Sequence, residues 1–140
     1  ESTRKALAKV GKDSELVAIH DGARAAIRVD DIEAVIAAAR DSGAAILGRA
    51  MSDTVKRIDS GRVVETVDRR RLFRAETPQV FARDLIIRAH EHFEGEPTDD
   101  AQAVEALGRA VAVVHAAHAN IKLTRPEDVL LMEALIAQKE

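Results

Sequence analysis

Two short apolar runs, Leu16-Val17-Ala18-Ile19 and Ala44-Ala45-Ile46-Leu47, flank a stretch of helical periodicity, and that arrangement constrains the fold most. Each run is unbroken by polar residues, the pattern of a strand buried on both faces in a parallel sheet. Between them Asp30 or Asp31 can cap a helix whose apolar positions Ile32, Val35, Ile36 and Ala39 follow i, i+3, i+4, i+7, and Gly43 ends it. A strand–helix–strand unit of this length implies a right-handed crossover and a doubly wound α/β sheet.

The rest of the chain is read against that unit. Residues 2–10 resemble the second half of a helix closed by Gly11. Residues 54–58 and 62–67 are β-prone and part-polar, and Asp59-Ser60-Gly61 between them is a hairpin signal. A polar hairpin has little reason to sit in a core, so it is expected to project and to offer its edges to a partner. Arg69-Arg70-Arg71 reads as a solvated face, and Thr77-Pro78-Gln79 as a hydroxyl-bearing turn. A helix is predicted over 82–92 with Leu85, Ile86, Ala89 and Phe93 inward, and another from Thr98 or Asp99 to Leu107. Strands are predicted over 110–114 and 121–123. Thr124-Arg125-Pro126-Glu127 carries a capping-box pattern that opens a last helix. No linker interrupts the sequence, so residues 1–140 read as one domain or a piece of one.

Composition removes several classes of function. Of the 140 residues 46% are hydrophobic and 32% charged, enough apolar material for a core. No run of 18 apolar residues suggests a membrane span, and no basic-then-apolar leader opens the chain. Cysteine is absent, which excludes thiol chemistry and Cys-based metal sites. A net charge of −3 gives no general attraction to nucleic acid or anionic lipid, and three Phe without Tyr or Trp argue against base stacking. The expectation is a cytoplasmic protein that binds neither nucleic acid nor membrane.

His20-Asp21-Gly22-Ala23-Arg24 follows the first strand directly, where open sheets bind ligands. An Asp there can hold Mg²⁺ and an Arg can grip phosphate; alternatively the two simply pair. In Asn120-Ile121-Lys122-Leu123-Thr124 a lysine lies within an apolar context. Its amine is costly to desolvate unless an anion meets it, the alternative being a stem laid along an edge strand with its head in water. His90-x-His92 and His115-x-x-His118 lack a third ligand cluster, and His90 and His92 would diverge on a helix, so zinc is not expected. No G-x-S-x-G, GxxxxGK[ST] or GxGxxG motif occurs.

Taken in order, HDGAR, SDTVK, TVDR, TPQVF, TDDAQAVE and NIKLTRPED closely resemble the 2-C-methyl-D-erythritol 4-phosphate cytidylyltransferases, over essentially the whole chain. Ribitol-5-phosphate cytidylyltransferases share most of these motifs. The resemblance implies a Rossmann-like α/β nucleotidyltransferase sheet, three-layered and incomplete here, with a β-arm at about 51–70 that interlocks two subunits as a homodimer. It implies transfer of CMP from CTP to a polyol phosphate, with release of pyrophosphate and with Mg²⁺ as cofactor, in the bacterial cytoplasm. By motif, Asp21 resembles the aspartate near the metal and acceptor, Arg24 and Thr54 the polyol-phosphate contacts, and Arg69 the arm arginine that reaches the neighbouring subunit. Lys122 resembles the lysine beside the reacting phosphates, Thr77 and Thr98 the threonines of the pocket, and Ser2 a serine close to the cytidine nucleotide. Ala25 stands where the family usually has proline. The family's glycine-rich phosphate loop, which precedes these motifs, is missing from the sequence, so these residues alone are expected to be inactive. A non-catalytic dimerisation piece is the competing reading.

Overall fold

A computed structural model of the chain describes residues 2–138. The β–α–β unit is present: β1 (Leu16–Ile19), α2 (Val29–Ser42) and β2 (Ala44–Ala50), preceded by a short helix α1 (Ser2–Leu7). Gly43 closes α2 in the left-handed region at φ 81°, its N–H donating to Ala39 O at 2.8 Å. An arm follows, β3 (Val55–Asp59) and β4 (Arg62–Val67), and then β5 (Phe73–Ala82), α3 (Arg83–His92), α4 (Asp100–Ala106), β6 (Ala112–His115) and α5 (Asp128–Ala137).

The sheet is mixed rather than parallel. Its order is β1-β5-β2-β6, with β5 antiparallel to both β1 and β2, and β2 parallel to β6. The predicted turn at Thr77-Pro78-Gln79 is therefore the middle of a ten-residue strand. Proline is unexpected inside a strand because it cannot donate to a ladder. The register shows why it is tolerated: Ile46 pairs with Gln79 and Gly48 with Ala75, so residues 76–78 bulge past the ladder. β1 pairs on one side only among the described residues and is partly exposed, contrary to the expectation of burial on both faces. An apolar run of four residues does not distinguish a central strand from an end strand.

Alternation along β2 and β5 sends side chains to both faces and builds three layers. Ala44, Ile46 and Phe81 pack with Leu85, Ile86, Ala89 and Val104 under α1, α3 and α4. Ala45 and Val80 pack with Val35 and Ala39 of α2 on the other face. β3 and β4 form a separate two-stranded sheet whose turn places Ser60 and Gly61 at positive φ. Arg57 Nε meets Glu65 Oε2 at 2.8 Å across this arm, and Ile58, Val63 and Val64 are exposed.

Three smaller expectations change. Residues 121–123 form no strand; Leu123 N–H instead clasps Ala23 O at 2.9 Å. Glu127 does not complete the capping box. Asp128 takes that part, its Oδ2 accepting the N–H groups of Thr124 and Arg125 at 2.9 and 2.8 Å. α2 has no side-chain cap, because the buried Asp31 carboxylate turns away to accept the N–H groups of Ala117 and His118 at 2.8 and 3.3 Å.

Candidate active site

Because β5 alone opposes them, β1, β2 and β6 direct their carboxyl ends to one edge of the sheet. Loops leaving those ends are where open α/β sheets hold ligands. One of them carries Asp21 and Arg24 away from β1; the other leads from β6 through Asn120 to Lys122. Between them lies a hollow of about 750 Å³, within the size range of small-molecule sites, whose wall includes Ser2, Asp21, Arg24, Thr77, Thr98 and Lys122.

Lys122 Nζ lies 3.1 Å from Asp21 Oδ2, and Arg24 Nε lies 3.3 Å from the same oxygen. Two cations from distant parts of the sequence thus converge on one carboxylate. Partial burial pushes the Asp21 carboxyl up, but the hydrogen bond and charge of Lys122, then those of Arg24, outweigh it and hold it below the usual carboxylate range. Asp21 is therefore ionised at neutral pH. Arg24 is largely buried, and its Nη1 donates to Asn120 O at 2.7 Å, which fixes the guanidinium. The Asp–Arg pair exists, and it lines a hollow large enough for a ligand.

Thr77 occupies the bulge of β5 and binds the first loop. Its Oγ1 accepts the Asp21 N–H at 2.9 Å and meets His20 Nδ1 at 3.0 Å. His20 Nε2 lies 3.3 Å from the Arg24 carbonyl, which can only accept. Hydrogen-bond matching therefore puts an N–H at Nε2 and leaves Nδ1 to accept from the Thr77 hydroxyl. Two residues further along β5, the buried Gln79 donates Nε2–H to Asp99 Oδ2 at 2.9 Å and accepts Ala101 N–H at 3.0 Å. Asp99, not Thr98, caps α4 by accepting Gln102 N–H at 3.0 Å. Thr98 is held beside the hollow by its own N–H to Gln102 Oε1, 2.6 Å away.

Thr54 and Arg69 lie on the arm and are not in the wall of this hollow; the Arg69 guanidinium donates to the Ser52 carbonyl. His90 pairs with Asp100, Nε2 to Oδ1 at 2.8 Å, and His92 Nδ1 lies 2.8 Å from Arg88 O. Among the described residues no cluster of three His, Cys, Asp or Glu surrounds a common point. The sequence reading missed Gln79 and Asn120 as structural hubs, and also Glu76, a fully buried carboxylate paired with Arg74 at 3.0 Å and Arg49 at 3.4 Å. The available signal was weak: each is a polar residue beside a strand-like apolar run.

Solved structures share this architecture. The 4-diphosphocytidyl-2C-methyl-D-erythritol synthase of Anaerococcus prevotii superimposes with a TM-score of 0.86 at 35% identity, over 97% of this chain and 65% of that one. The 2-C-methyl-D-erythritol 4-phosphate cytidylyltransferase of Thermus thermophilus gives 0.85 at 33% identity, over 97% and 68%. Fold and strand-end site together define an α/β domain of the nucleotidyltransferase type. A relative from Halalkalibacterium halodurans, named 2-C-methyl-D-erythritol 4-phosphate cytidylyltransferase, is 42% identical over all of this chain and 62% of its own length. The model of that family matches residues 1–138, and the chain belongs to the 2-C-methyl-D-erythritol 4-phosphate cytidylyltransferase family. It spans about three-fifths of the length of the curated relatives it matches.

Proposed function

We propose that this chain forms part of a cytidylyltransferase that joins CTP and 2-C-methyl-D-erythritol 4-phosphate into a CDP-alcohol, in the bacterial cytoplasm. The observation that carries the reading is the meeting of Lys122 and Arg24 on one oxygen of Asp21 in the wall of a ligand-sized hollow. A phosphate oxygen of the acceptor attacks the α-phosphorus of CTP. The new P–O bond forms as the bond from that phosphorus to the β-phosphate's bridging oxygen breaks, and the electron pair leaves with pyrophosphate. Two anions must meet, and negative charge grows on the leaving group. Positive side chains fixed in advance lower that barrier, and no covalent protein intermediate is needed.

In this reading Lys122 lies beside the reacting phosphates, and Arg24, braced by Asn120 O, grips the acceptor phosphate. Thr77 and Thr98 hydrogen-bond substrate oxygens, and Ser2 meets the nucleotide. Asp21 orients both cations and stays ionised, which suits it to Mg²⁺. Its ion pairs fall on Oδ2, and magnesium is commonly held by one or two carboxylates plus substrate phosphates and water. Bound there, the metal would supply further positive charge to the phosphates. Thr54 and Arg69 serve the hollow of a second copy, reached by the arm. The arm's separate sheet and the exposed Ile58, Val63 and Val64 support a homodimer joined through it.

The test is pyrophosphate release from CTP by a polypeptide of the relatives' full length that contains this sequence, with Mg²⁺ present. Methylerythritol phosphate is expected to be the preferred acceptor over ribitol phosphate. No release with either acceptor would overturn the reading.

A further inference from the structure

Asn120 is 2% exposed, yet it precedes an open loop and carries two polar attachments that meet at the candidate site. Its Nδ2 donates to Thr77 O at 2.8 Å, tying the loop to β5 at the bulge. Its backbone carbonyl accepts Arg24 Nη1 at 2.7 Å. Two residues later stands Lys122, and the next N–H, that of Leu123, donates to Ala23 O. One residue thus joins, through its side chain and its carbonyl, the segments that carry Thr77, Arg24 and Lys122.

The remaining polar atom of Asn120 argues that this is more than packing. Oδ1 is buried and has no hydrogen-bond partner among the described residues. A buried acceptor left unpaired costs free energy. Asparagine bears that cost here, and what it supplies in return is the Nδ2 donor to Thr77 O. Local rules of this kind are broken mainly at functional sites.

We propose that Asn120 is a positioning residue for phosphoryl chemistry at this site: through Thr77 O and Arg24 it holds the Lys122 amine and the Arg24 guanidinium on a common target. The proposal rests on the cytidylyltransferase reading above. Without the Nδ2–H bond, the loop moves off β5, and both cations lose their shared aim at Asp21 Oδ2. A displacement on the order of 1 Å at a reacting centre costs about 10²-fold in rate. Such a loss falls on kcat, because the cations stabilise charge that develops in the transition state.

The experiment uses the full-length polypeptide with Asn120→Ala, Asn120→Asp, Lys122→Met and the Asn120→Ala/Lys122→Met pair. Asn120→Asp keeps the volume but replaces the donor by an acceptor facing Thr77 O, and it carries the test if Asn120→Ala does not fold. The expected result is a roughly 10²-fold loss of kcat in pyrophosphate release, with KM for CTP within about threefold for both Asn120 variants. The paired variant is expected to lose clearly less than the product of the two single losses, the remaining extra loss being that of the misplaced Arg24, because residues acting as one unit are not additive. Amide exchange at Leu123 is expected to rise at least tenfold while Val80 stays protected. Multiplying losses in the pair, or unchanged exchange at Leu123, would overturn the proposal. Full activity of Lys122→Met would instead refute the cytidylyltransferase assignment of the lysine, and the exchange measurement would still decide whether Asn120 holds its loop.

Discussion

Replacing Lys122 by Met removes one charge and keeps most of the side-chain length. A unit charge about 4 Å from a phosphate oxygen is worth about 4 kcal/mol at an effective dielectric of ~20 and about 1 kcal/mol in bulk water. The Lys122 side chain is 46% exposed, so its site lies between these limits. A value of about 2–3 kcal/mol in the transition state corresponds to roughly 30- to 200-fold in kcat/KM. Stability responds differently. The pair with Asp21 is partly exposed on both sides and contributes no more than about 1 kcal/mol to folding, a shift of at most ~4 °C in Tm. Pyrophosphate release by the full-length polypeptide, measured beside a thermal melt, separates the two effects. Lys122→Met with more than a tenth of normal kcat/KM and an unchanged melt would refute the argument that this amine neutralises reacting phosphates.

Gly48 is predicted to tolerate no side chain. A Cβ there would penetrate both the Arg74 carbonyl oxygen and the Phe73 ring across the β2–β5 pair, so Gly48→Ala should cost about 3 kcal/mol and lower Tm by roughly 6–12 °C; a melt within 1 °C of the parent contradicts this. Deleting residues 58–64 should give a monomer in sedimentation, and a dimer that survives the deletion lies on another surface. The Asp128 carboxyl is held below its ordinary value by the N–H groups of Thr124 and Arg125 and by the Thr124 hydroxyl. Its contribution to stability is therefore present above about pH 4 and fades as pH falls through the lowered value. Asp128→Asn should melt earlier than the parent at pH 7 and converge with it near pH 2; equal melts at both pH values would remove the Asp128 carboxylate from the start of α5.

The sequence by itself determined those features that rest on local rules. Apolar runs and 3.6-residue periodicity located β1, α2, β2 and α3 closely, and Asp59-Ser60-Gly61 located the arm turn, because period and turn chemistry act over a few residues. The ordered motifs also marked Asp21, Arg24, Thr77 and Lys122 before any coordinates placed them in one wall. Tertiary structure decided what depends on partners far apart in the chain. Only pairing could reveal that β5 divides the β–α–β unit, since a proline that costs a ladder bond elsewhere costs none in the bulge at 76–78. Only packing could turn Asp31 from a helix cap into an anchor for the loop at Ala117, and Asn120 from a loop residue into the joint between Thr77 and Arg24. A side chain's hydrogen bonds follow from which backbone groups the fold leaves within about 3 Å, and sequence spacing carries no record of that distance.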